Sequence, residues 1–219
     1  MFCALQSRRC GGEITMVVLN VSNGKIANGF EEFCEKVSND VYMMSMITAL
    51  ARVSKNYITN DTSYQLERTY VCEFYHQWSM LLNEKDCNPN NLCLNAEPCK
   101  HISQKAEWKY PDLILHHSQV DNGDNRIACE VKRKGWKKSC LNKDMCSLNL
   151  MLTGASEDGK LTSNFQWGVF IQIGGSVDKI EDYVKHQHFN DNILCIVVND
   201  DVTQLTIGSV EELKKVENK

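Results

Sequence analysis

The chain has 219 residues, 42% of them hydrophobic and 24% charged, with eleven cysteines and a formal net charge of −4. That length suits one domain, the apolar share excludes a wholly disordered chain, and the lack of any run of about 18 apolar residues excludes a membrane-spanning helix. Three prolines and twelve glycines exclude collagen-like or low-complexity character.

In chain order, residues 1–20 read as irregular, with a short apolar piece at Val17-Val18-Leu19. Phe30, Phe33, Val37, Val41, Met44, Ile47 and Ala51 recur at helical spacing and predict one or two helices over 30–53. Thr62 and Gln65 resemble a capping box. The helix they open, 64–82, carries Leu66, Tyr70, Phe74, Trp78 and Leu81 on one face. Glu67 falls inside that apolar arc and Glu73 at its edge. An acid on a core-facing stripe is unusual, because burying an unpaired carboxylate is costly.

Residues 83–109 read as loop with a short strand near Leu92-Cys93-Leu94. Asp112–His116 and Arg126–Lys132 read as the two strands of a hairpin around strong turn chemistry at 121–125. A helix over 139–152 follows, then a nearly continuous apolar strand at 165–173, which predicts a central position. A helix at 178–188, a buried strand at 193–198 and an edge strand at 203–207 come next. Ser209 and Glu212 form a capping box for a terminal helix. This order predicts a mixed-sheet α/β domain with helices on its faces. The expected layout is one domain over 1–219, with 1–60 a helical decoration and 61–200 the core.

The cysteine content is below the roughly 8–10% of small disulfide scaffolds, and the start lacks a secretory signal. These features read as a reduced, cytoplasmic protein that uses cysteine as a small hydrophobe.

The chemistry concentrates in the hairpin. Alternation puts Ala128, Glu130 and Lys132 on one face of the second strand and Ile127, Cys129 and Val131 on the other. Pairing centred on Asp121 sets Asp112 opposite Glu130 on the same face. A two-residue Asn122-Gly123 turn would set them on opposite faces. With the first register, two carboxylates and an ammonium share one face. Carboxylates supply hard oxygen ligands for Mg²⁺, which activates a water and stabilises phosphate charge. A lysine beside them orients the water, deprotonates it or contacts the phosphate.

The segments Pro111-Asp112 and Glu130-Val131-Lys132, joined by a turn, resemble the PD-(D/E)XK nuclease superfamily. The chain resembles small uncharacterised members in SYQLERTYVCEF, YPDLILH, EVKRK, KDMCSLNLMLTG and FQWGVFIQI, spanning about 63–173. It departs from them at Ser147, where lysine is expected, and at Tyr110, where arginine often stands. The resemblance implies a restriction-endonuclease-like core. It implies Asp112 and Glu130 as metal ligands, Lys132 as the catalytic lysine, and Glu67 as a helix acid at the metal, with Glu73 in reserve. The Val131 backbone carbonyl is a further ligand by the same analogy. The implied cofactor is Mg²⁺, with Mn²⁺ substituting. The implied activity is hydrolysis of nucleic acid, DNA ahead of RNA, by a single chain, a homodimer or a larger complex. The alternative is a non-catalytic nucleic-acid-binding or protein-interaction module that keeps the fold. Asp144 is expected to be a helix N-terminal acid, favourable to the dipole.

Lys132, Arg133, Lys134, Lys137, Lys138 and Lys143 lie within twelve residues with no acid among them. Arg133, Lys134, Lys137 and Lys138 then read as a phosphate-tracking patch, with Trp136 placed to stack on a base. The acidic total argues against a protein that coats itself in nucleic acid. Rival motifs are weaker. Cys87, Cys93, Cys99 and His101 lack the short-paired spacing of a zinc site. No GxxxxGK[ST] loop, G-x-S-x-G elbow or dinucleotide fingerprint is present.

Overall fold

The computed structural model describes residues 16–59, 65–84, 86–96, 100–101, 108–109, 111–117, 125–153, 164–185 and 187–215. Its first element is a strand, β1 (Val17–Ser22), in which Val17, Leu19 and Val21 are buried and the residues between them exposed. Asn23 and Gly24, at φ 50° and 70°, turn the chain into β2 (Lys25–Asn28). Two successive left-handed residues are what a tight hairpin turn demands, and Asn-Gly supplies them at least cost. Four helices follow: α1 (Phe30–Lys36), α2 (Val41–Arg52), α3 (Asn56–Thr59) and α4 (Gln65–Leu82). Asp40 caps α2 by accepting from the Tyr42 and Met43 backbone N–H groups at 2.9 and 3.2 Å.

Strand β3 (Cys93–Ala96) comes next, then the two-residue strands β4 (Lys100–His101) and β5 (Trp108–Lys109), which pair with each other. The hairpin strands are β6 (Leu113–His116) and β7 (Asn125–Arg133). Helix α5 (Lys138–Thr153), strand β8 (Trp167–Ile173), helix α6 (Asp178–Val184), strands β9 (Ile193–Val198) and β10 (Gln204–Ser209), and helix α7 (Val210–Lys215) complete the chain. The expected capping box on α7 forms: the Ser209 N–H donates to Glu212 at 2.7 Å, and the Glu212 N–H donates to Ser209 Oγ at 3.2 Å.

Eight strands make one mixed sheet in the order β2-β1-β10-β9-β8-β7-β6-β3. Strands β7, β8 and β9 run parallel, and the other neighbours are antiparallel. Strands inside a sheet covered on both faces read as continuous apolar runs, and β9 is buried at every residue. One face packs Leu113, Cys129 and Ile171 with Met46, Leu50, Phe74 and Trp78 of α2 and α4. The other face packs Ile114, Ala128 and Phe170 with Leu141, Met145 and Leu148 of α5. The Trp78 indole N–H donates to Ser45 Oγ at 2.9 Å and pins α4 to α2. Among the described residues, no helix is long and apolar enough to cross a membrane.

Three expectations change. The N-terminal region is not only helical, because β1 joins the main sheet beside β10. Strand β10 is therefore interior, between β1 and β9, rather than an edge. Helix α6 ends at Val184, short of His188. Thr62 and the turn at 121–124 lie outside the described residues.

Candidate active site

The hairpin register decides whether the acids can meet. Leu113 pairs with Cys129, Ile114 with Ala128 and Leu115 with Ile127, and a bulge separates Leu115 from His116. This is the pairing centred on residue 121. Continued by one residue it sets Asp112 opposite Glu130. Proline lacks an N–H for a ladder, and the described pairing begins just after Pro111-Asp112. Beyond Cys129, the described residues give β7 no ladder partner on that side. The Asp112 carboxylate takes the vacated place, accepting from the Val131 N–H at 2.6 Å.

The early end of β6 also lets the two helix layers meet at one point. From one layer, Glu67 of α4 reaches past the strand end. Its Oε1 lies 3.3 Å from Lys132 Nζ, and its Oε2 accepts from the Arg133 N–H at 3.0 Å. From the other layer, α5 brings Asp144 and Ser147, neighbours on one helix face at i, i+3. Asp144 Oδ2 lies 3.5 Å from Lys132 Nζ, and Ser147 bonds Glu130 through its hydroxyl. Glu130 is 6% exposed and Ser147 3%. Glu67 thus joins the cluster, whereas Glu73 is bonded to Gln77 at 2.7 Å, two turns along the helix.

The electrostatics are unbalanced. Four carboxylates surround one ammonium. Burial, reinforced by Asp112 and Asp144, pushes Glu130 up to about 9 despite Lys132 and Ser147. Burial likewise pushes Asp112 up to about 6, although the Val131 N–H and Lys132 oppose it. Asp144 is raised by burial. Burial works against the Lys132 charge, but Asp144, Glu67, Asp112 and Glu130 outweigh it and hold the ammonium protonated. Asp144 Oδ2 is buried, with the Lys132 ammonium at 3.5 Å as its ion-pair partner. A surplus of buried carboxylate over ammonium suits a bound cation. Among the described residues, no group of three His, Cys, Asp or Glu side chains is placed to hold a metal ion. Mg²⁺ does not need one, because it binds through one or two carboxylates and keeps several waters.

Asp144 and Ser147 were not expected here. Asp144 sits in the second turn of α5, not at its N-terminus. Its signal was present in the sequence: it lies between Leu141, Met145 and Leu148, on the core-facing stripe, as Glu67 does on α4.

The basic run is only partly available to a ligand. Lys134 pairs with Asp200 at 2.6 Å. The Trp136 indole N–H donates to Gln172 Oε1 at 2.8 Å, and its ring packs on the α5-side core. These two tie the loop to the sheet. Lys137 and Lys138 are exposed, and Arg133 is half-buried. Trp136→Phe should cost about 1–2 kcal/mol of stability through the lost bond and leave nucleic-acid affinity unchanged. Denaturant melts and a binding titration check this, and a tenfold affinity loss would place the indole on the ligand instead.

A larger pocket, about 370 Å³, opens at the N-terminal ends of the parallel strands among Asn125, Gln166, Asn190 and Asn192. Among the described residues its lining holds no carboxylate, histidine or cysteine. A second pocket of about 310 Å³ borders Glu67 and Asp112.

Comparison of the chain with protein-family models, with curated proteins and with solved structures gave no match.

Proposed function

We propose that this chain is a Mg²⁺-dependent nuclease of the PD-(D/E)XK type, with DNA ahead of RNA as substrate. The observation that carries the reading is the β6–β7 register, which brings Asp112 and Glu130 together beside Lys132. The convergence of Glu67 on the same lysine supports it. Asp112, Glu130 and the Val131 carbonyl would hold the ion, with Glu67 at its margin. When bound, it supplies an acidified water and neutralises phosphate charge.

The chain's own residues do the rest. Ser147 fixes the Glu130 carboxylate by donating its hydroxyl. Asp144 and Glu67 hold Lys132 in place and keep it charged. Lys132 contacts a phosphate oxygen or orients the attacking water as a point charge. Lys137 and Lys138 lie beside the site on the loop and first turn of α5, where they can follow the phosphate backbone.

The test is cleavage of end-labelled single- and double-stranded DNA and RNA in Mg²⁺, Mn²⁺ and EDTA. Metal-dependent cutting is expected. Tight binding without cutting on any substrate would favour the non-catalytic module. Replacing Lys137 and Lys138 by alanine should weaken binding to all sequences alike. It should also reduce the slope of log affinity against log salt by about 2, roughly one per lost phosphate contact. An unchanged slope would remove both lysines from the interface.

A further inference from the structure

We infer that the pocket beside the carboxylates takes an unpaired nucleobase, which makes single-stranded nucleic acid, or a frayed end, the substrate class. The inference rests on the nuclease reading of the neighbouring site.

The pocket runs along α4. Glu67, Val71 and Tyr75 recur at i, i+4 and i+8, with Arg68 and Cys72 on the adjoining row. Ala96, at the end of β3, and Asp112 complete the described lining. Val71 is buried, Tyr75 half-buried, and Arg68 and Cys72 exposed. Tyr75 lies about 12 Å along the helix axis from Glu67, eight residues at about 1.5 Å each. An occupant stacked on the Tyr75 ring therefore belongs to a nucleotide near the one being cut.

Each wall selects for the same chemistry. At about 310 Å³ the pocket is at the lower end of small-ligand sites and too small for a duplex. A neutral ring with exocyclic N–H donors finds acceptors in the Glu67 and Asp112 carboxylates, beside the apolar Val71 and Ala96. A tyrosine ring beside apolar side chains, with an arginine on the adjoining row, supplies the residue types of a stacking platform. A base inside a duplex is stacked and paired, so it reaches this pocket only after leaving the helix.

The test separates this inference from the nuclease reading by measuring binding in a Glu130→Gln background. In Mg²⁺, adding Tyr75→Ala should weaken binding of a single-stranded oligonucleotide by about fivefold or more. Affinity for a duplex of the same sequence should change less than about twofold. A second readout keeps Tyr75 intact. Alkylation of Cys72, followed by peptide mass mapping, should be slowed by the single strand and not by the duplex. Equal losses for both ligands, or an unchanged Cys72 labelling rate, would overturn the inference. If wild type cuts in Mg²⁺ while Tyr75 and Cys72 are indifferent, the nuclease stands and the base pocket falls. If wild type cuts nothing while both readouts respond, the pocket stands and the nuclease falls.

Discussion

Glu130→Gln should abolish cleavage and at the same time stabilise the metal-free protein. The two effects have one cause. In the metal-free fold, Glu130 is buried against Asp112 and Asp144 and pushed up to about 9. In the unfolded chain it ionises near its ordinary value of 4.5. At pH 8, folding must therefore protonate this carboxyl, at about 1.4 kcal/mol per pH unit of separation. Glutamine has the same shape, keeps an oxygen for Ser147, and needs no proton. The variant should gain about 2 kcal/mol or more at pH 8 and nothing near pH 4. Cleavage should fall by at least about a hundredfold, the scale seen when a group stabilising transition-state charge is removed. Opposite movements of stability and activity are the mark of a residue kept for function. Melting curves at both pH values, with single-turnover cleavage at pH 8, check both halves. A variant that is less stable and equally active would make Glu130 a structural residue.

The stability of the metal-free protein should fall as pH rises from about 5 to 9, and divalent metal should reverse the fall. The sign follows from the direction of the shifts. Asp112 and Glu130 are both raised, to about 6 and about 9, so the folded state holds more protons than the unfolded one. Stability from such groups is complete below their unfolded values and is lost as pH rises through the folded ones. Asp112 is exhausted near pH 6. Glu130 continues to about 9, with a slope of about 1.4 kcal/mol per pH unit between. Lys132 is also raised, from 10.5, so its contribution stays whole across this range. A cation replaces the bound protons. Mg²⁺ should therefore raise the melting temperature more at pH 8 than at pH 6, and its binding should release protons, read as a buffer-dependent heat. A saturating ligand at a hundred times its dissociation constant adds about 2.7 kcal/mol. A metal shift independent of pH would place the ion away from these acids.

The parts of this site that sequence reading reached were those governed by local periodicity. Strand alternation put Glu130 and Lys132 on one face, and the Asp121-centred register set Asp112 opposite, as the Leu113–Cys129 pairing bears out. Helical spacing put Glu67 rather than Glu73 on the inner face of α4. The same argument, applied to α5, would have found Asp144 among Leu141, Met145 and Leu148. It was missed because the helix start drew attention to the dipole. Strand β1 carried a readable alternation in Val17, Leu19 and Val21, but its neighbour β10 is almost two hundred residues away. Nothing local assigns strand order, so β10 looked like an edge. Side-chain partners were the least legible. Lys134 and Trp136 sit in a basic run whose charge invites a phosphate, and only the fold reveals Asp200 and Gln172 waiting for them.

Asp112→Asn provides the most direct test of the central claim. Asparagine keeps an acceptor for the Val131 N–H while removing the charge proposed to bind the metal. Cleavage of the preferred oligonucleotide should be measured under single-turnover conditions in Mg²⁺ at pH 8, beside wild type, with melting curves for both. The account predicts a wild type that cuts only with metal, and a variant slowed at least about a hundredfold with its fold intact. Equal rates in the two proteins would contradict it.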